Sequence, residues 1–506
     1  MAGNQTIAKN SIYMAIQLVL VLIVSLYTSR VILQVLGVED FGIYNVVCGF
    51  VTMFAFLNTS MNNGIQRFYN YEYGKNGEEG AYRVFNSAII IQFLLALVIV
   101  VLTETIGLWY LYEKMVIPGE RFAAAFWIFQ FSVMSLVILV MQIPFSASIM
   151  AHEKIKYFSI VHMVDAILKL LIALTIPFVP FDKLIGYGFL VFCISLINAC
   201  LYIIYAKVHF KELKFHFLID KDLIKSMLSF SGWNLFGSFA GVGKEQGINM
   251  ILNMFFGPVV NAARGIAYQV TGALKSFVST VTVSGRPQLT QSYAQGDKER
   301  TIGLMFSLCK MSFFVLFIFA LPVTIEINYI LTIWLGVDSI PEHTHLFVQL
   351  VLLTALTNVF SPPTSFVVHA TGKMAKYQII TSAFSLTVLP LSYIFLTHGA
   401  DAEIVFVLNM IITAVGEYIS LRVLQSIEYF KLRDFVHFVL KPVVIVILIS
   451  VPISVIGRFL IQESFIRLVI TAILSVISIV GSVYFFALND SEKALVKSMI
   501  NKILRK

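Results

Sequence analysis

Inside the apolar stretch GSFAGVGKEQGINMILNMFFG, residues 237–257, stand a lysine and a glutamate, Lys244 and Glu245, bracketed by Gly241, Gly243 and Gly247. Just beyond it, Arg264, Tyr268, Thr271, Lys275, Ser279, Thr282 and Arg286 follow one another at spacings of three and four, which places them on a single helical stripe. Cations in such a row can hold an anion through charge-assisted hydrogen bonds, and a carboxylate among them can take up and release a proton. Earlier in the chain Asn45, Thr52, Thr59 and Asn63 form a comparable polar stripe, and Arg30 stands alone in SLYTSRVIL. Asp165 and Lys169 lie four apart with the acid first, the favourable order for a pair within one helix.

The elements that must carry these residues are set by composition. With 58% hydrophobic and only 13% charged residues, and a mean hydropathy of +0.86, the chain lies outside the range of soluble globular proteins. An all-α integral membrane protein is expected, because apolar runs of about 20 residues cross roughly 30 Å of hydrocarbon as helices. The sequence predicts 14 spans, at 11–35, 42–66, 84–112, 122–150, 157–180, 184–206, 226–255, 258–285, 302–325, 344–370, 377–397, 402–424, 441–461 and 465–488. The first is too long, with the wrong flanks, for a cleaved signal peptide and is expected to remain.

Net charge of +8 follows this topology. With a cytoplasmic N-terminus, 25 Lys and Arg residues fall on the inside, six fall outside or at the outer ends of spans (Lys114, Arg121, Lys183, Arg264, Arg458 and Arg467) and five lie deeper within spans. That asymmetry predicts both termini in the cytoplasm. It also turns the basic segments 207–225 and 489–506 toward membrane lipids rather than nucleic acid. Cys48, Cys193, Cys200 and Cys309 all fall within spans, as small apolar fillers rather than a disulfide or metal framework.

An internal repeat recurs at an offset of 219 to 220: Gly37 of QVLG matches Gly257 of MFFG, Arg67 matches Arg286, and IPFSASIMAHEKIKY matches PPTSFVVHATGKMAKY. The same offset maps Asn45 onto Arg264 and Thr52 onto Thr271. An even number of spans per offset makes the repeats parallel, related by an axis along the membrane normal. The expected organisation is a six-helix bundle at 1–206, a cytoplasmic linker at 207–225, a second, pseudo-symmetric six-helix bundle at 226–424, two additional helices at 425–488 and a basic tail at 489–506.

A lysine near mid-span, as Lys275 is, costs roughly 2.5–3.5 kcal/mol even on a lenient insertion scale, so it needs a carboxylate or water-filled space. Lys244 and Glu245, adjacent on a helix, point about 100° apart and are expected to find separate partners. The three glycines are expected to weaken the helix around them; reading KEQG as a tight loop would break the offset and the charge asymmetry. Glu104 and Glu417 are read as interfacial anchors near span ends. The candidate substrate-binding residues are then Arg30, Asn45, Thr52, Lys244, Arg264, Thr271 and Lys275, and the candidate ion-coupling acids are Glu245 and Asp165.

No HExxH, Walker-type glycine loop or GxSxG is present, so neither an enzyme nor a self-contained ATP-driven pump is expected. The opening segment from NSIYMAIQ, with its LG-x-x-DFGIYN turn, the YGKNG loop, SYAQGDKER and HATGKMAKY, resembles the polysaccharide transporter family. These are the Wzx-type flippases of lipid-linked oligosaccharide, in the superfamily that includes the MATE drug exporters. The resemblance implies two bundles alternating access to a cavity in the bacterial cytoplasmic membrane. It implies a polyprenyl-pyrophosphate-linked sugar as substrate, polymerase or assembly proteins as partners, and no cofactor. A net cationic cavity suits a pyrophosphate; a MATE-like, ion-coupled exporter of small molecules is the alternative, and a non-transporting component of an assembly complex a more distant one.

Overall fold

The computed structural model describes residues 2–489 and 492–493, except 153, 179, 211–212, 214–215, 217–219, 372 and 429. Much of the basic linker and nearly all of the tail therefore lie outside the described residues. Everything regular is helical, with no strand among the described residues. In hydrocarbon no water can pair the peptide groups, so a chain this apolar has to satisfy them internally, and helices do so within each segment.

The chain packs as two compact units. The first comprises 1–265, 339–342 and 386–402. It holds α1 (Ala2–Thr52), α2 (Phe56–Leu102), α3 (Leu108–Glu113), α4 (Phe122–Met141), α5 (Ile143–Ala151), α6 (Ile155–Thr175), α7 (Lys183–His209), α8 (Lys221–Phe256) and the start of α9 (Pro258–Ala294). The second comprises 266–338, 343–385 and 403–506. It holds the rest of α9, then α10 (Lys298–Ile325), α11 (Ile327–Leu335), α12 (Thr344–Asn358), α13 (Ser361–Thr371) and α14 (Met374–Leu386). After α15 (Val388–Thr397), which lies in the first unit, come α16 (Glu403–Ile427), α17 (Leu432–Phe435), α18 (Lys441–Leu460) and α19 (Phe465–Ser482). Among the described residues three π-helical turns interrupt these helices, at Thr103–Gly107, Val436–Leu440 and Val483–Ala487.

Eleven stretches among the described residues are long and apolar enough to cross a membrane. The expected spans 42–66, 226–255 and 258–285 are not counted among them as separate crossings, although their chain is helical. Residues 42–52 fall within the counted stretch Ile16–Thr52, whereas 226–255 and 258–285 carry the Lys-Glu pair and a polar stripe, which lower their hydropathy. The chain is a multi-pass membrane protein.

The repeat is written into the backbone. Gly37 has φ 82° and ψ 168°, and Gly257 has φ 74° and ψ −170°. This extended, positive-φ conformation is essentially confined to glycine, and it ends one helix and starts the next at both positions. A second pair, Gly77 at φ 61° and Gly296 at φ 78°, recurs at the same offset. The helices beginning at Ile155 and Met374 start 219 residues apart, and those beginning at Lys183 and Glu403 start 220 apart.

The compact units divide at Gly265, whereas the repeat marks a bundle boundary within 206–226. Small residues let α8 and the first turns of α9 pack into the first unit. Gly42 meets the Pro258 carbonyl, a Cβ at Gly49 would stand 2.6 Å from the Asn249 amide nitrogen, and one at Gly265 would stand 2.9 Å from the Asn45 side-chain oxygen. Glycines that admit a neighbouring backbone this closely are the usual glue of membrane helices.

Buried ion pairs tie α19, and the chain just beyond it, to α10 and the residue that ends it. Arg467 on α19 donates from Nη2 (2.7 Å) and Nε (3.0 Å) to the Glu326 carboxylate, which is inaccessible to solvent and also accepts from Thr471 at 3.0 Å. Lys310 on α10 donates to Glu492 at 2.9 Å.

Candidate functional site

The stretch that holds Lys244 and Glu245 is an unbroken part of the 36-residue α8, with no non-helical residue at Gly241, Gly243 or Gly247. The helix is not broken at these glycines, each of which sits in ordinary helical geometry within a long hydrogen-bonded ladder. Glu245 receives its partner from the next helix: Arg264 Nη2 donates to the Glu245 backbone carbonyl at 2.7 Å and to its carboxylate at 3.1 Å. The Arg264 side chain is 7% exposed, so the carboxylate supplies the counter-charge that a buried guanidinium requires.

Lys244 joins the same carboxylate, its Nζ 3.9 Å from Glu245 Oε1. Glu245 thus has the separate partner expected of it in Arg264, while Lys244 also comes within ion-pair reach. The Cβ atoms of Lys244 and Glu245 diverge, but the four-carbon lysine stem reaches back around the turn. One carboxylate thus gathers two cations.

Beneath it lies an asparagine network. Asn249 Nδ2 donates to the Asn45 carbonyl at 3.2 Å, and Asn261 Nδ2 donates to the Asn249 carbonyl at 2.7 Å and to its side-chain oxygen at 2.8 Å. Asn45 itself returns its amide to the Phe41 carbonyl at 2.7 Å and packs on Gly265. These bonds join α1, α8 and α9 and orient the helices that carry the charged cluster.

A separate cavity of about 650 Å3 lies within the first unit. Thr52 and Asp165 line it, together with Ser132, Gln142, His162 and Asn198. Asp165 Oδ2 accepts from Lys169 at 2.8 Å, as the acid-first spacing predicts, while Oδ1 accepts from Asn198 on α7 at 2.7 Å. The other face of Asn198, its Oδ1, is buried without a hydrogen-bond partner. Cys48 Sγ lies 3.2 Å from Ser132 Oγ on the same wall. The Asp165–Lys169 pair is internally neutral, so most of this wall offers uncharged hydrogen-bonding groups.

The remaining candidates scatter. Arg30 is half-buried on α1 and does not line this cavity. Thr52 bonds its own helix at the Gly49 carbonyl, 3.0 Å away. Thr271, buried, bonds the Ala267 carbonyl at 2.9 Å, and Lys275 is exposed one turn further along α9; both belong to the second unit. Glu417, read as an interfacial anchor, lies beyond the midpoint of α16 with its Oε2 buried and unbonded, which corrects that reading. Glu104 accepts from Gln130 at 3.3 Å. The residues missed from sequence are His162, Ser132, Gln142 and Asn198. His162 stands three residues before Asp165, on the same helical face, and that spacing is the signal that could have found it.

No protein-family model matches the chain, and no curated protein matches it in sequence. Solved structures do match it in fold. The lipid II flippase MurJ in an inward closed conformation superposes with a TM-score of 0.68 at 15% identity, covering 93% of this chain and 98% of that one. An inward-facing multidrug resistance transporter of the MATE family gives 0.66 at 13% identity, covering 80% and 94%. A transporter from Pyrococcus furiosus, described by the reversed polarity of its binding pocket, gives 0.55 at 13% identity, covering 83% and 95%. The chain therefore has the fold of MATE- and MurJ-type transporters of the MOP superfamily.

Proposed function

We propose that this protein is a Wzx-type flippase. It translocates a polyprenyl-pyrophosphate-linked oligosaccharide across the bacterial cytoplasmic membrane for surface polysaccharide assembly, by alternating access, with both termini in the cytoplasm. The observation that carries this reading is the cluster of Arg264 and Lys244 around the single Glu245 carboxylate. Two cations gathered on one carboxylate suit an anionic head group, because a pyrophosphate can take over the hydrogen bonds that the carboxylate now accepts. The fold supports the reading, since one of its neighbours is a flippase of a lipid-linked precursor. The uncharged amides and hydroxyls around Asp165 suit a hydroxyl-rich sugar.

Lys244 and Lys275 are the informative cations to remove, because Arg264 also anchors Glu245 and its loss disturbs packing. Lys244→Ala and Lys275→Ala should each weaken apparent substrate affinity by about ten- to a hundred-fold, with Lys275→Arg milder. The measurement is surface polysaccharide, and accumulation of its lipid-linked precursor, at matched membrane abundance of the protein. Normal polysaccharide in the Lys244→Ala, Lys275→Ala double variant would remove the cationic mechanism.

An ion-coupled exporter of small molecules is the second reading, favoured by the titratable Asp165 facing a cavity. An anion-independent transport activity abolished by Asp165→Asn alone would establish it.

A further inference from the structure

The second unit contains a cavity of about 760 Å3 between the start of α10, the π turn before α18 and the π turn after α19. Four lysines line it, Lys298, Lys310, Lys431 and Lys441, against two acids, Glu299 and Asp434. Lys298 is engaged by Glu428 at 2.6 Å. Lys310 is engaged by Glu492 at 2.9 Å and by the Ala487 carbonyl at 3.1 Å. Lys431 and Lys441 are exposed and make no ion pair among the described residues, which leaves two uncommitted cations at one mouth.

The rest of the wall is apolar and opens outward. Phe438 is 54% exposed and Phe486 58% exposed, and each comes from one of the two π turns. π turns are rare and recur at functional sites, since widening one helical turn re-aims side chains and frees carbonyls. Here the second turn ends at Ala487, whose carbonyl accepts from Lys310. Two of the three π turns among the described residues therefore shape one cavity. It combines cations at the end of the unit that the Lys and Arg distribution assigns to the cytoplasm with exposed aromatic surface alongside.

We propose that this cavity binds an anionic phospholipid, with Lys431 and Lys441 on the head-group phosphate and the acyl chains along Phe438 and Phe486. Basic pockets between helices at the cytoplasmic side of a membrane take this class of lipid, the phosphate neutralising the lysines while the chains stay in hydrocarbon. The site is separate from the cluster at Glu245 and does not depend on what the protein transports.

Native mass spectrometry of the full-length protein, delipidated and titrated with phosphatidylglycerol or phosphatidylcholine, reads the site directly. The parent should retain phosphatidylglycerol preferentially. Lys431→Ala with Lys441→Ala should weaken that retention by about twenty-five-fold, each surface lysine being worth roughly five-fold. The Lys431→Arg, Lys441→Arg variant should retain it, and a Lys114→Ala, Lys183→Ala control should behave as the parent does. Phe438→Trp supplies a second measurement that leaves the lysines in place: brominated phosphatidylglycerol should quench the added fluorescence, and brominated phosphatidylcholine should not. Equal retention of the two lipids, unchanged binding in the alanine variant, equal quenching, or displacement of the lipid by millimolar inorganic phosphate would each overturn the proposal.

Discussion

Arg264 grips Glu245 twice through one nitrogen, at the backbone carbonyl and at the carboxylate, across the turn that joins α8 to α9. The first bond fixes the guanidinium to the helix and the second neutralises it. Removing the carboxylate therefore takes away the counter-charge that this geometry supplies to a buried guanidinium beside Lys244.

Glu245→Ala should accordingly destabilise the purified protein by about 1–3 kcal/mol, and Glu245→Gln by less, because the amide still accepts a hydrogen bond. The Glu245→Ala, Arg264→Ala double variant should lose less than the sum of its parts, since neither charge is then left alone. Thermal unfolding in detergent measures all three. Additive losses would mean that the pair is not coupled. Glu245→Gln also tests ion coupling: transport that keeps the parent's dependence on proton or sodium gradients would exclude Glu245 from that role.

Glycine substitutions should divide by conformation rather than by neighbourhood. Gly37→Ala and Gly257→Ala force a side chain into a positive-φ, extended backbone and should each cost about 1–3 kcal/mol. Gly241→Ala and Gly243→Ala lie in regular helix, with nothing within 4 Å of the added carbon, and should stabilise by about 0.5–1 kcal/mol. Gly247→Ala would meet Leu389 at 2.7 Å and should not share that gain. Melting temperatures of the five variants decide the matter.

At one end of the first unit Arg121 bridges Asp40, at 2.6 Å, and Asp182, at 2.5 Å, and Asp182 also caps α7 by accepting from the Leu184 and Ile185 amides at 3.0 Å each. Burial pushes the Asp182 carboxyl upward, but the Arg121 guanidinium and the two amides prevail and hold it below its ordinary value of 3.8. A folded-state value below the unfolded one gives stability that is present above pH 3.8 and is lost as pH falls through the lower, folded value. Asp182→Ala should therefore cost about 1–2 kcal/mol at neutral pH, and its unfolding curve should approach the parent's in strong acid. A deficit that stays constant down to pH 2, about two units below the ordinary carboxylate value, would contradict this account.

Topology can be read by labelling. In a background with the exposed Cys200 replaced, single cysteines at Asn76 and Gln295 should react with an impermeant maleimide from the same side, and one at Asp338 from the opposite side. Asn76 and Gln295 stand beside the matched Gly77 and Gly296, so opposite labelling of the two would break the parallel repeat.

What the sequence determined by itself is what depends on neighbours along the chain. Hydropathy over some twenty residues made this a membrane protein of helices. An offset of 219 to 220 located the glycine turns at Gly37 and Gly257, because only glycine tolerates that backbone. A spacing of four joined Asp165 to Lys169, since both sit on one face of one helix. Tertiary structure decided everything that passes between helices. It gave Glu245 to Arg264, nineteen residues away, and Asn198 to Asp165, thirty-three away. It also kept α8 continuous through its glycines and packed it within the first compact unit. Such contacts depend on which helix faces approach, on small residues that let backbones close, and on the reach of each side chain, as the stem of Lys244 shows. None of these is a function of spacing along a single helix, and so periodicity alone could not supply them.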